Sequence, residues 1–338
     1  MRVQVNARNR AFQFEAAAGE KVLYCGLRAK IGLPYECATG TCGTCKARLL
    51  DGRIDDGWPQ APGKKSLKTA QGEFLMCQCT ALTDLNLEVA SFVYPADPSS
   101  PPVGGYSGTL EAVRPLTHDV AAFDVALERP CEFEAGQFMA LGAPGVPGLR
   151  GYSMVNFDRP ARRLSFVAKK KPGGGFSEWL FSAGAAGARL EMVGPLGKAV
   201  FSPSLGKNIL CIAGGSGIAG MMSILARAQA ADYFSKHEVR LFFGVRTMRD
   251  VFFLDELARY PQAEITIALS EEDPPAQAGK LKFARGFVHE VAKREMAGKY
   301  HNVRAYLAGP PPAVDAAIRV LLLEAKLTTD NVRYDKFS

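Results

Sequence analysis

One short stretch limits what this chain can become: Pro34-Tyr-Glu-Cys-Ala-Thr-Gly-Thr-Cys-Gly-Thr-Cys-Lys46. It places Cys37, Cys42 and Cys45 in a Cys-x4-Cys-x2-Cys array, and Phe-Leu-Met-Cys77 follows at a distance. Three close thiolates and one remote one make the ligand set of a plant-type [2Fe-2S] cluster. Gly40 and Gly43 are expected to let the backbone wrap close to the inorganic sulfides, where a Cβ would collide. Loop N–H groups can then donate to sulfur and tune the potential. Zinc is the main competitor, but its sites pair two Cys-x2-4-Cys knuckles, and no second one of that kind joins Cys77. A disulfide framework suits a small secreted domain rather than 338 residues.

With four of the eight cysteines assigned to iron, the expected setting is a reducing cytoplasm. The others, Cys25, Cys79, Cys131 and Cys211, read as small buried hydrophobes. Cys79 stands two residues after Cys77, so an extended segment would turn both to one face and leave the fourth ligand open between them. No leader peptide and no apolar run of membrane-spanning length is evident. The net charge of +7 is spread without a long basic run, which argues against nucleic-acid binding. Residues 1–95 hold twelve Lys and Arg against nine Asp and Glu, an excess of three that favours an acidic partner surface.

Along the chain, residues 1–95 read as a compact α+β unit. Val3 and Val5, then Phe12 and Phe14, alternate as an opening hairpin. Lys21 to Ile31 has helical spacing. Lys46 to Leu50 and Asp84 to Val89 read as strands, with a turn at Asp51-Gly52. Trp58, in a Pro- and Gly-rich loop, is either a docking aromatic or, more simply, locally packed. Residues 96–105 carry enough proline to form a semi-stiff linker. Residues 106–203 show short alternating strands at Phe123–Leu127, Phe138–Leu141 and Leu164–Val167, the pattern of an antiparallel barrel. Residues 204–338 change to β-α-β. Ile209–Ala213 is a continuous apolar strand, a helix is expected from Met221 to about Ala230, and further strands at Val239–Phe243, Glu264–Leu269 and Arg304–Leu307 complete a doubly wound α/β domain.

Two stretches suggest nucleotide sites. Gly214-Gly215-Ser216-Gly217-Ile218-Ala219-Gly220 follows a strand and opens a helix, so small residues let the backbone meet a pyrophosphate at a helix N-terminus. After the next strand, Gly244-Val245-Arg246 lacks the acidic residue that would hold a ribose 2′-hydroxyl. Arg246 could meet a 2′-phosphate or stack on adenine. In Arg150-Gly151-Tyr152-Ser153 an Arg can neutralise a phosphate, a Tyr can pack on a flat ring, and a Ser can donate to a ring nitrogen. Gly173-Gly-Gly-Phe-Ser177 could start a helix and cradle phosphate, with Lys169, Lys170 and Lys171 just before it. The four histidines do not cluster, and neither a Rieske pair nor a hydrolase elbow is present.

These motifs, in this order, resemble one family across nearly the whole chain: the NADH-dependent reductase components of bacterial multicomponent oxygenases, toluene monooxygenase reductases above all. Further carrying residues are Trp58-Pro59-x-Ala61-Pro62-Gly63, Phe74-Leu-x-Cys77-Gln-Cys79 and Asp335-Lys336-Phe337. The resemblance implies a β-grasp ferredoxin domain, an FAD-binding barrel and an NAD-binding domain. It makes Cys77, not Cys79, the fourth iron ligand. Arg150 would pair with the FAD phosphate, Tyr152 would pack on the flavin, and Ser153 would sit near its reactive nitrogen. Gly175 and Ser177 would hold the pyrophosphate, and Phe337 would lie near the flavin face. Gly214, Gly215, Ser216 and Gly217, with Gly309 and Pro310, would take NADH.

Two residues depart from the pattern, Ala308 and Gly220. Ala308 replaces the usual Cys before Gly309, so hydride transfer is expected to be slower or differently oriented. Gly220 replaces a Pro and is expected to loosen the helix start. Arg246 lacks the neighbouring Ser of NADPH-preferring relatives, which favours NADH. The implied activity is electron transfer from NADH through FAD and the cluster to an oxygenase hydroxylase or its Rieske-type ferredoxin, by a monomer. A reductase for another iron enzyme, or an electron carrier without turnover, are the alternatives.

Overall fold

The computed structural model describes residues 1–182, 184–275 and 281–336. These divide into two compact units, one of Met1–Gly108, Met139–Gly151 and Arg189–Leu196, the other of Thr109–Phe138, Tyr152–Ala188 and Gly197–Ser338.

The chain opens as expected with a hairpin, β1 (Arg2–Ala7) and β2 (Ala11–Glu15), in which Val3 faces Phe14 and Val5 faces Phe12. Helix α1 (Val22–Arg28) follows, shorter than its sequence pattern because Lys30 turns left-handed. Next come β3 (Lys46–Asp51), β4 (Ile54–Asp56), β5 (Glu73–Leu75), β6 (Cys79–Ala81) and β7 (Leu85–Val89). Five of these strands form one sheet in the order β2-β1-β7-β3-β5, and β4 pairs with β6. The chain's closing strand here, β7, runs parallel to β1 in the middle of the sheet. That crossover sends the intervening residues over one face, where α1 buries Leu23, Tyr24 and Leu27.

A six-stranded sheet comprises β8 (Gly104–Pro115), β9 (Val120–Cys131), β10 (Phe138–Gly142), β11 (Arg150–Ser153), β12 (Ala161–Lys169) and β13 (Arg189–Leu196). Strands β9 and β12 pair antiparallel, bringing Phe123 against Phe166. Helix α2 (Gly175–Leu180) starts inside the glycine run, with Gly174 as its N-cap.

The third sheet is parallel between every pair of neighbours, in the order β17-β16-β15-β14-β18-β19. Its strands and helices are β14 (Asn208–Gly214), α3 (Ile218–Ala230), β15 (Val239–Val245), α4 (Leu254–Ala258), β16 (Glu264–Leu269), β17 (Lys282–Arg285), α5 (Val288–Glu295), β18 (Val303–Gly309), α6 (Pro311–Arg319) and β19 (Val332–Lys336). Along β14, Ile209, Cys211 and Ala213 enter one core while Leu210 and Ile212 enter the other. Both faces are covered, which explains the unbroken apolar run. Helix α3 begins three residues earlier than expected, at Ile218, and runs through Gly220 without a break. Sequence patterning did not single out β17, β19, α5 or α6. No helix among the described residues is long and apolar enough to cross a membrane.

Leu241, on β15, is fully buried. Leu241→Ala should cost this domain about 2–5 kcal/mol, read as an earlier thermal transition. An unchanged transition would mean that the side chain is not in the core.

Candidate functional site

The cysteine loop is held from three sides. Lys46 stands opposite Leu75 in the β3–β5 pairing, and the N–H of Met76 donates to the carbonyl of Cys45 at 3.0 Å. This register brings the Sγ atoms of Cys45 and Cys77 to 3.2 Å. From α1, the Leu23 N–H donates to Met76 O at 3.0 Å, and the buried Tyr24 hydroxyl donates to Ala38 O at 2.8 Å. Ala38 itself is left-handed, at φ 56°, a strained setting for a residue with a Cβ. From a third side, the N–H of Gly63 donates to Gly40 O at 2.8 Å.

The thiols form two pairs, Cys37 with Cys42 and Cys45 with Cys77. The N–H groups of Thr39 and Cys42 reach Cys37 Sγ at 3.4 Å, that of Thr44 reaches Cys42 Sγ at 3.4 Å, and Gln78 Nε2 reaches Cys77 Sγ at 3.3 Å. A hydrogen bond from the Cys42 thiol lowers Cys37 to about 4. Burial opposes this, and Thr41 with the N–H groups of Thr39 and Cys42 assists it. Cys42 is raised in return by Cys37 and by burial, and Cys45 is pushed well up by Cys77 and burial. Burial and the nearby Cys77, Cys45 and Cys37 hold the Tyr24 phenol neutral. Paired thiols with N–H groups aimed at sulfur fit a two-iron cluster, each pair serving one iron.

Two expectations about this loop change. Gly40 and Gly43 are left-handed, at φ 86° and 80°. A Cβ at Gly40 would meet the Gln78 side chain at 2.9 Å, and one at Gly43 would meet Ser66 Oγ at 2.8 Å and Gly63 O at 3.1 Å. Packing between loops therefore demands glycine at both positions. Nor does Cys79 share a face with Cys77. Residues 76–78 form a turn, closed by Gln78 N–H to Leu75 O at 2.9 Å, and Cys79 starts β6 opposite Asp56. Burial and the Asp56 charge push its thiol up to about 12. Tyr24 and Ser66 were not singled out from sequence, and Gly63 and Gln78 entered only through the resemblance, because their roles depend on chain crossings.

In the parallel sheet, strand order reverses between β14 and β18, the place where such sheets bind nucleotides at their C-terminal ends. Ala213 lies beside Ala308 there. A Cβ at Gly217 would stand 2.5 Å from the carbonyl of Ala308 and 2.6 Å from Gly309 N. Gly309 is at φ 146°, and a Cβ there would meet Gly214 O at 3.0 Å. One at Gly214 would meet Pro310 Cδ at 3.2 Å. The structure thus joins Gly214, Gly215, Ser216 and Gly217 to Gly309 and Pro310 as two turns in backbone contact. Ala308, where the resemblance leads to the expectation of a cysteine, is buried beneath them.

Tyr152 packs edge-on to Phe123 at 5.7 Å and tilted on Phe176 at 5.1 Å, so the Arg-x-Tyr-Ser strand and the Gly175–Ser177 loop meet through aromatic rings. Ser177 Oγ accepts from Lys171 N–H at 3.0 Å and donates to Gly174 O at 3.0 Å, which shapes the loop. Of the three lysines, Lys169 pairs with Asp119 at 3.1 Å. Ser153 is buried, and a Cβ on Gly220 would stand 3.5 Å from its Cβ. That is ordinary contact distance, so packing against Ser153 does not itself require glycine at 220. Arg150 Nη1 donates to Leu149 O at 2.9 Å. Arg246 pairs with Asp250 at 3.4 Å, outside both glycine turns. Phe337 lies outside the described residues.

Three family models match in this order: a 2Fe-2S iron-sulfur cluster binding domain over residues 5–82, an oxidoreductase FAD-binding domain over 107–201 and an oxidoreductase NAD-binding domain over 211–319. The chain is 37% identical to the ferredoxin–NAD(P)(+) reductase CarAd of Metapseudomonas resinovorans, covering 95% of both chains. It belongs to the iron–sulfur flavoprotein reductases. It is 32% identical to the xylene/toluene monooxygenase electron transfer component XylA of Pseudomonas putida, over 93% of this chain and 87% of that one. Among solved structures, the ferredoxin reductase in carbazole 1,9a-dioxygenase superposes with a TM-score of 0.84 at 35% identity, covering 100% and 99% of the two chains. The Amycolatopsis cytochrome P450 reductase GcoB gives 0.80 at 28%, covering 99% and 98%. This family member is an oxidoreductase with a [2Fe-2S] cluster, FAD and a nicotinamide nucleotide as cofactors, and its expected barrel is a curled antiparallel half-barrel.

Cys77→Ser should remove most of the protein's bound iron and acid-labile sulfide, while Cys79→Ser should keep both. The reverse pattern would move the fourth ligand to Cys79. Gly217→Ala, which drives a Cβ into Ala308, should weaken nicotinamide nucleotide binding at least about tenfold by titration. Unchanged affinity would contradict the role given to that turn.

Proposed function

We propose that this reductase takes a hydride from NADH and delivers the electrons one at a time to the hydroxylase of a multicomponent oxygenase, or to its Rieske-type ferredoxin. The supporting observation is that four thiols stand in two close pairs in a chain that also builds a nucleotide crevice of paired glycine turns. When bound, the flavin accepts the hydride's two electrons together and the cluster carries them singly.

In this reading Cys37, Cys42, Cys45 and Cys77 hold the irons. Gly214, Gly215, Ser216 and Gly217, with Gly309 and Pro310, seat the nicotinamide nucleotide by close backbone approach. Arg150 pairs with the FAD phosphate, Tyr152 packs against the flavin and Ser153 lies near its reactive nitrogen. Because the Ser177 hydroxyl is bonded within its own loop, it shapes the turn while N–H groups at the start of α2, from Gly175 on, meet the pyrophosphate. The domain limits 1–95, 106–203 and 204–338 are supported by the family matches, each of which falls inside one of them, while Gly104 and Gly105 of the expected linker 96–105 belong to β8. The names of the relatives support an oxygenase or its ferredoxin as acceptor.

The pairing of Arg246 supports NADH over NADPH. Burial works to raise the Asp250 carboxyl, but hydrogen bonds from Thr247 and the Arg246 charge outweigh it and keep the group below its ordinary range. A 2′-phosphate drawn to Arg246 would therefore meet a carboxylate already in place.

Steady-state reduction of ferricyanide should show kcat/KM at least about tenfold higher with NADH than with NADPH. A tenfold preference for NADPH would reverse this reading. Asp250→Asn should leave NADH turnover near wild type and raise relative use of NADPH by up to about fivefold, the scale of one partly exposed charge pair.

A further inference from the structure

Trp58 belongs to the cluster domain, yet its indole lies over the guanidinium of Arg150, with 4.6 Å from the guanidinium carbon to the ring centroid. The contact is built on both sides. On the Arg150 side, Gly148 is left-handed at φ 71°, and a Cβ there would come within 2.7 Å of the indole, so the turn admits the ring only because it carries glycine. Arg150 Nη1 is also held by Leu149 O at 2.9 Å.

On the Trp58 side the loop is pinned throughout. Asp56 accepts from the Trp58 N–H at 3.2 Å and is itself held by Lys64. The Trp58 carbonyl accepts from Ala61 N–H at 3.1 Å, and Ala61 O accepts from Lys64 N–H at 3.0 Å. Two residues beyond the buried Ala61, Gly63 N–H donates to Gly40 O within the cysteine loop. One short segment, Asp56 to Lys64, thus connects the cluster loop to Arg150.

We propose that Trp58 is a positioning residue for the flavin: by covering the guanidinium face of Arg150 it fixes the plane in which that group presents its N–H donors to the FAD phosphate. An arginine stacked on an aromatic face keeps its in-plane donors directed outward, and a planar fork held in one orientation loses less freedom on meeting a phosphate. The residue that orients the flavin's counter-ion is therefore carried by the domain that holds the cluster. This rests on the assignment of Arg150 to the FAD phosphate made above.

The test is the FAD dissociation constant of the full-length protein, followed by recovery of flavin fluorescence on dilution, with cluster absorbance as the control for folding. Trp58→Ala should weaken FAD binding about tenfold with the cluster spectrum intact, and Trp58→Phe should restore it to within about threefold. Gly148→Ala, which pushes the indole away, should reproduce the Trp58→Ala loss. If Trp58→Ala disturbs the cluster spectrum, Trp58→Phe and Gly148→Ala decide the matter alone. Arg150→Ala should weaken binding by itself, and adding Trp58→Ala to it should change nothing more.

Wild-type affinity in Trp58→Ala and Gly148→Ala, or losses that add in the double variant, would overturn the proposal and leave the Arg150 assignment standing. Unchanged affinity in Arg150→Ala would remove that assignment and this proposal together.

Discussion

The contact on which the rest depends is the approach of two sulfurs, Cys45 and Cys77, to 3.2 Å. They come from opposite ends of neighbouring antiparallel strands, so their meeting is a matter of register. Slipping β5 by one residue against β3 would turn Cys77 away and point a different side chain at the loop. The register is secured by the bond from Met76 to Cys45 and by α1 gripping Met76 from behind. The loop between the first three cysteines then needs left-handed glycines, a strained alanine and a buried tyrosine to hold its carbonyl. Strain of this kind persists only where surrounding contacts determine it, and here those contacts converge on the thiols.

The nucleotide crevice follows the same logic by other means. Its two turns touch through backbone, with glycine at 214, 217 and 309 where they meet. A parallel sheet covered on both faces fixes where the ends of β14 and β18 emerge. The glycines then remove the side chains that would separate the two turns. Ala308 takes part in this crowding through its own carbonyl, which would stand 2.5 Å from a Cβ at Gly217, so the site is organised by backbone shape.

Much of this was legible in the sequence, and the reasons differ by element. The cysteine spacing is local and chemically specific, so it named its cofactor before any fold was known. The strand at 209–213 announced itself because burial on both faces removes polar residues. Other elements were silent for physical reasons. Strands β17 and β19 are short edge strands with half-exposed patterns, and α5 and α6 carry mixed polarity. The separation of Cys77 from Cys79 depended on a turn that alternation rules do not foresee. The pairing of Trp58 with Arg150 joins residues far apart in sequence, and no local pattern encodes such a meeting. The resemblance to oxygenase reductases supplied the roles of the flavin-site residues, which spacing alone left open.

The account's central claim is that electrons reach the cluster by way of the flavin. It is tested most directly by mixing NADH anaerobically with two preparations of the same iron-loaded protein, one holding FAD and one stripped of it, and following cluster absorbance and the signal of the reduced cluster. The cluster should be reduced in the flavin-loaded protein and stay oxidised in the stripped one, with reduction returning when FAD is added back. Reduction of the cluster by NADH without FAD, or a cluster that stays oxidised in the fully loaded protein, would contradict it.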